Sequence, residues 1–166
     1  FTLTTVNTPE NLRTAEILKE TWEGIGVEVA LQIVETEQIQ RDVVRPRNFE
    51  AFLFGEILGH DPDPYPFWHS SQIGESGLNL SNFVNKEADK VLEEARKLTD
   101  SQARADKYVH FQNVLVDSIP ALFLYAPYYE FVTDDRIKGV ELERVTGPVD
   151  RFNNLSGWYT KTKAAF

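Results

Sequence analysis

The sequence contains no cysteine, so it has no disulfide, no thiol nucleophile and no thiolate metal ligand. Methionine is absent too, and Phe1 stands at the first position. An open reading frame starts with Met, so the expectation is a processed product or a segment of a longer protein. No stretch approaches the roughly 18 consecutive apolar residues of a membrane-spanning helix. Nor does a basic segment leading into an apolar one open the chain, so any export signal is expected upstream of Phe1. A basic excess is missing as well: 17 Lys and Arg stand against 26 Asp and Glu, a formal charge of −9. A nucleic-acid backbone binder needs a basic face, and this balance disfavours one. The glycine-rich phosphate loops, GxGxxG and GxxxxGKS/T, do not occur.

What is present reads as a folded domain. The 166 residues are 42% hydrophobic and 26% charged, within the globular range. FTLTTV reads as a strand. Thr8 and Pro9 then start a helix, the hydroxyl capping free N–H groups and Pro occupying the first helical position. Leu12, Ala15, Leu18, Trp22 and Ile25 share its apolar face, and Gly24 and Gly26 suit a left-handed exit. VEVALQIVE follows as a second strand, and Thr36 to Val44 as a short helix stopped by Pro46. AFLFGEIL reads as a third strand, apolar enough to be covered on both faces. This β-α-β-α-β order predicts an α/β fold with a mainly parallel sheet. After a long loop come two helices, one from about Asn85 to Leu98 and one opened by a Thr99–Gln102 capping box. The second carries Tyr108, Phe111, Leu115 and Ile119 on one face and stops at Pro120. ALFLY, YYEFV, GVELERV and the terminal NNLSGWY are the later strand candidates.

Chemistry-bearing residues gather in the loop GHDPDPYPFWHSSQIGESGLNLSNFVN. His60 and His69 with Asp61 and Asp63 contain zinc-type donors, but Pro beside both Asp stiffens the backbone and disfavours a metal wrap. Ser70 or Ser71 with His69 and Asp61 contains the residue types of an acyl-transfer site, yet no GxSxG elbow is present. Glu56 and Asp61 are a nominal carboxylate pair for glycoside hydrolysis. His110 reads as a surface residue of the second late helix. Following a third parallel strand, the loop lies where open α/β sheets bind ligands. Trp68 and His69 offer flat faces for stacking and Asp61 an acceptor. The competing reading makes Phe67 and Trp68 core plugs and Asp63 the cap of a short helix starting at Pro64.

The series GHDPDPYPFWHSSQ, GLNLSNFVNKEADKVLEEARKLTDSQARADKYVHFQNVL, SIPALFLYAPYYEFV and DRFNNLSGWY resembles the carboxyl-terminal lobe of family 5 extracellular solute-binding proteins. These are the oligopeptide-, dipeptide- and nickel-binding components of ABC importers. The likeness runs over nearly the whole chain, including the opening strand and the helix ending in GIGVEV. It implies a single type II periplasmic-binding-protein-like lobe over 1–166, with a ligand loop at about 58–83 and later strands added from the C-terminal region. It also implies an N-terminal lobe of the same parent protein, a permease partner, and a periplasmic or extracellular location, lipid-anchored through a preceding N-terminus or free. The ligand, a peptide or other small solute, would lie between two lobes that close by hinge motion, with no cofactor, no metal and no catalysis. The residues implied at the ligand are Leu58, His60 and Asp61, then Trp68, His69 and Asn79, with Tyr125 and Tyr128 behind them. In peptide binders of this family an acidic residue pairs with the peptide amine, and His60 occupies that position here. The departure leaves sugars, modified peptides and other solutes open. The alternative is a small α/β hydrolase using the His60–Asp61 loop.

Overall fold

A computed structural model describes residues 1–142 and 145–160. The chain divides into two compact units, one of residues 1–56 and 63–121, the other of 57–62 and 122–166.

The first unit is built on β1 (Thr2–Val6), which lies between β2 (Ala30–Val34) and β3 (Ala51–Leu53), both parallel to it. The central strand alternates as a doubly covered strand must. Leu3 faces a cluster with Ala15 and Val29, backed by Leu18 and Trp22 of α1 (Pro9–Glu23). Val6 faces the opposite cluster with Ile39, Val43 and Val44. Thr4 and Thr5, wholly buried, satisfy their hydroxyls by donating to Gln32 Oε1 (3.1 Å) and the Leu53 carbonyl (2.9 Å).

Thr8 caps α1 as expected, accepting from the Asn11 N–H with Pro9 in the first turn. Only Gly26, at φ 88°, takes the left-handed exit; Gly24 stays helical. Ile25 is exposed rather than part of the buried face. The segment expected as a helix from Thr36 to Val44 forms one wide π turn, Gln40–Val44, in which the Arg45 N–H reaches back to the Gln40 carbonyl. Its widening brings the adjacent Val43 and Val44 both into the core. The third strand is shorter than AFLFGEIL: pairing stops at Leu53, and Phe54, Ile57 and Leu58 are exposed.

The rest of this unit is a helical layer. A short helix α2 (Tyr65–Trp68) precedes α3 (Lys86–Ala95) and α4 (Ser101–Ser118). Trp68, Phe83, Ala88, Val91, Leu92, Phe111 and Leu115 form its core. Asn85 caps α3 by accepting from the Glu87 and Ala88 N–H groups. The cap of α4 is Asp100, accepting from Ala103 N–H at 2.7 Å, so the expected Thr99–Gln102 box is not used. A carboxylate there also opposes the positive end of the helix dipole. Ile119 ends α4 in the left-handed conformation (φ 47°) before Pro120, which turns its side chain out of the apolar face to solvent.

In the second unit β4 (Ile137–Lys138) and β5 (Tyr159–Thr160) pair antiparallel in a sheet of their own. Among the described residues, the expected strands ALFLY and YYEFV carry no strand pairing, and 139–142 carries no strand. Residues 143 and 144 of GVELERV lie outside the described residues. The aromatic rings of Phe131, Trp158 and Phe152 meet at centroid distances of 5.9 and 6.0 Å, with the Arg151 guanidinium over Phe152. Asn154 ties this unit together, donating to the Gly139 carbonyl and accepting from the Trp158 indole N–H at 2.7 Å.

Leu92 is fully enclosed between α3 and its neighbours. Leu92→Ala is expected to lower unfolding free energy by about 2 to 5 kcal/mol, the cost of a buried cavity. Urea unfolding followed by tryptophan fluorescence measures it, and a change below about 1 kcal/mol would show this core to be loose.

Candidate functional site

The Pro-rich connection contributes to both units, and its residues sort by burial. In the first unit Asp63 accepts from the Tyr65 N–H, starting α2, and pairs with Arg96 at 3.1 Å. The Arg96 guanidinium lies 4.3 Å above the Tyr65 ring, which stacks on His69 at 4.1 Å. Trp68 is buried in the helical core, edge-on to Phe83. Its indole N–H donates to the Glu56 carboxylate. Asn79 is fully buried. Its amide donates to the His69 and Phe83 carbonyls and accepts from the Phe83 N–H and the Ser81 hydroxyl. Those four bonds exhaust an amide's capacity.

His69 is buried among Ser71, Asp89 and Glu93. Its Nδ1 accepts from the Ser71 N–H at 3.1 Å and lies 2.8 Å from the Ser71 Oγ. The neutral ring therefore carries its proton on Nε2, which faces Glu93 (3.4 Å) and Asp89 (3.8 Å) without a hydrogen bond. A protonated Nε2 offers no lone pair to a cation, and among the described residues no metal-holding group of His, Asp and Glu occurs. The structure does bring Ser71 against His69. That Nδ1 also accepts the backbone N–H of Ser71, however, and so caps the Ser70–Gln72 turn rather than serving as an unencumbered base. His110 lies on the surface, as expected, bonded to Glu87.

The other candidates belong to the second unit. Leu58, His60, Asp61, Tyr125 and Tyr128 are all exposed. His60 Nε2 lies 3.0 Å from Asp150 Oδ1. The second oxygen of Asp150 accepts from the Thr146 N–H, the Thr146 hydroxyl and the Gly147 N–H at 2.7 to 2.9 Å. The Thr146 bonds, with His60 and Gly147 adding to them, hold the Asp150 carboxyl well below the usual range.

With this geometry in view, the relatives can be compared. No family model matches the chain. It is 30% identical over 146 residues to the oligopeptide-binding protein AppA of Bacillus subtilis, covering 87% of this chain and 26% of that protein. The solved structure of that AppA in complex with a nonapeptide matches 98% of this chain and 32% of its own, with a TM-score of 0.78 at 29% identity. The homologues are family 5 solute-binding proteins. Heme-binding protein A of Haemophilus influenzae is 33% identical over 119 residues, 68% of this chain and 20% of that protein. The chain spans about a quarter of the length of the curated relatives it matches, and corresponds to part of the carboxyl-terminal lobe. Its parallel, helix-flanked sheet is the periplasmic-binding-protein-like architecture.

Two residues of this fold escape sequence reading, and a third, Glu56, is visible there only as half of a nominal carboxylate pair. Asp150 lies ninety positions from His60 in the chain, and no local spacing joins them. Arg47 adopts a left-handed backbone (φ 56°) and donates to the carbonyls of Asn79, Gly74 and Gly77 at 2.6 to 3.0 Å. Glu56 keeps a solvent-exposed face, yet burial of the rest pushes its carboxyl up to about 7 against the opposing pull of the Trp68 indole.

Two outcomes follow. Arg47→Ala is expected to release the 74–79 loop, with amide exchange there at least about tenfold faster, since the half-buried Asn79 and Gly77 carbonyls and the exposed Gly74 carbonyl lose a charged donor; unchanged exchange would contradict the clamp. For Glu56, a raised folded pKa means stability present below about 4.5 that falls as pH rises through about 7. The change is about 1 kcal/mol or less because one face is solvated. Glu56→Gln should flatten that slope in urea titrations, and a slope identical to wild type would exclude Glu56 as its source.

Proposed function

We propose that the chain is part of the ligand-contacting lobe of the solute-binding component of an ABC importer, working outside the cytoplasm by binding rather than catalysis. The likeness to AppA of Bacillus subtilis, solved with a nonapeptide, carries this reading. Residues 1–166 serve as one lobe of a two-lobed protein whose ligand is enclosed by hinge closure. The N-terminal lobe supplies the facing wall, and a permease reads the closed form. Peptides are the first ligand class to test, with other small solutes next, because a relative named for heme also matches, over a shorter stretch. The solvent-facing residues Leu58, His60, Asp61, Tyr125 and Tyr128 are the proposed contacts on this lobe. Trp68, His69 and Asn79, buried in the first unit, hold the part of the loop that belongs to it.

The surface of the second unit agrees with a covered role. Leu122, Phe123 and Tyr125 are exposed, as are Tyr128 (97%) and Val132 (89%). Such a run of uncovered apolar groups marks a docking or ligand surface. A lipid anchor, where the intact protein carries one, would hold this surface near the permease.

A ligand bound at about 1 μM corresponds to about 8 kcal/mol, and one lobe offering half of that leaves about 4 kcal/mol, near millimolar affinity. Calorimetry on the intact protein with a pool of two- to nine-residue peptides, and on 1–166 alone, tests the proposal. Micromolar binding by the intact protein and about a thousandfold loss in the isolated chain are expected. Micromolar binding by 1–166 alone would contradict the two-lobed site, and turnover of the bound peptide would contradict a purely binding role.

A further inference from the structure

The exposed imidazole of His60 reaches a carboxylate ninety positions along the chain. Its side chain is 60% accessible, whereas that of Asp150, its partner at 3.0 Å, is only 13% accessible. Asp150 is itself fixed. Three donors converge on its Oδ2, the Thr146 N–H, the Thr146 hydroxyl and the Gly147 N–H, while Oδ1 is turned to the ring. Pro148 begins the 3-10 turn Pro148–Phe152 that carries this carboxylate, so its backbone is constrained as well. An ionised carboxylate only accepts hydrogen bonds, so the ring nitrogen facing it must carry a proton.

We propose that Asp150 is the positioning residue of His60, fixing the ring's direction and holding the neutral imidazole as the Nε2–H tautomer. The arrangement parallels the carboxylate behind a histidine that sets which nitrogen bears the proton. The pair, not the ring alone, is then the charged unit offered by this end of the loop. It carries one negative charge with a neutral imidazole and none with an imidazolium, so the pair is never net positive. The bearing on ligand choice rests on the reading of His60 as a ligand contact; the tautomer assignment does not.

Asp150→Asn separates this from simple packing. Only an oxygen satisfies the three donors at the Oδ2 position, so the carboxamide must turn its NH₂ toward His60. An NH₂ donates, which forces Nε2 to accept and moves the neutral ring's proton to Nδ1. The intact protein, labelled with ¹⁵N-histidine, is measured in buffer alkaline enough for a neutral ring. Long-range ¹H–¹⁵N spectra report the tautomer, with His60→Gln assigning the signal. The expected result is Nε2–H in wild type and Nδ1–H in Asp150→Asn, with the His69 and His110 signals unmoved. Nε2–H in both, or Nδ1–H in wild type, would overturn the assignment. Should Asp150→Asn fail to fold, the wild-type spectrum still decides. Failure of peptide binding with the expected tautomers would count against the function and leave the Asp150 role standing.

Discussion

A buried amide and a half-buried guanidinium hold the long connection after β3 in one path, and the loop geometry depends on them. Asn79 joins the turn after α2 to the start of the segment leading into α3 by bonding to the backbone at both His69 and Phe83. Arg47, just before β3, gathers the Asn79, Gly74 and Gly77 carbonyls. The loop buries Trp68 and Phe83, but the Gly- and Ser-rich stretch between them has little apolar surface to bury, and conformational entropy opposes its order. Polar bonds set its shape, because leaving the half-buried Asn79 or Gly77 carbonyl unpaired would cost about 1 to 3 kcal/mol. Gly77 is obligatory there, since a Cβ would collide with the Gln72 backbone.

This division of labour underlies the choice of proposed ligand contacts. Trp68, His69 and Asn79 spend their surface and hydrogen bonds inside the first unit. Leu58, His60 and Asp61 lie in the exposed stretch that follows the end of strand pairing at Leu53. Ending β3 early frees that stretch from the ladder, and the Asp150 carboxylate restores direction to one of its side chains.

The parallel β-α-β-α-β succession was legible because strand-like and helix-like segments alternate and Thr8-Pro9 is a complete helix start, whereas the central place of β1 was not. The motif series around GHDPDPYPFW and DRFNNLSGWY identified the family, as the similarity to AppA bears out. The π turn was not legible: Val43 and Val44 fit an ordinary helix equally well, and only packing against Val6 selects the wider turn. ALFLY and YYEFV have strand composition, but a strand needs a partner, and composition does not supply one. The burial of Trp68 and Asn79 was half visible, since an aromatic in a loop suits a core plug as well as a stacking surface. The partners of Arg47 and His60 are set by tertiary geometry over 27 to 90 residues, beyond the reach of local pattern.

The claim that this lobe meets ligand through the 57–62 stretch is tested most directly by a crystal structure of the intact protein with the ligand it retains through purification. The account predicts ligand atoms within hydrogen-bonding distance of His60 or Asp61, with His60 still paired to Asp150 and the Asn79 amide bonded only to protein. A ligand enclosed elsewhere, with no contact to residues 57–62, would contradict it.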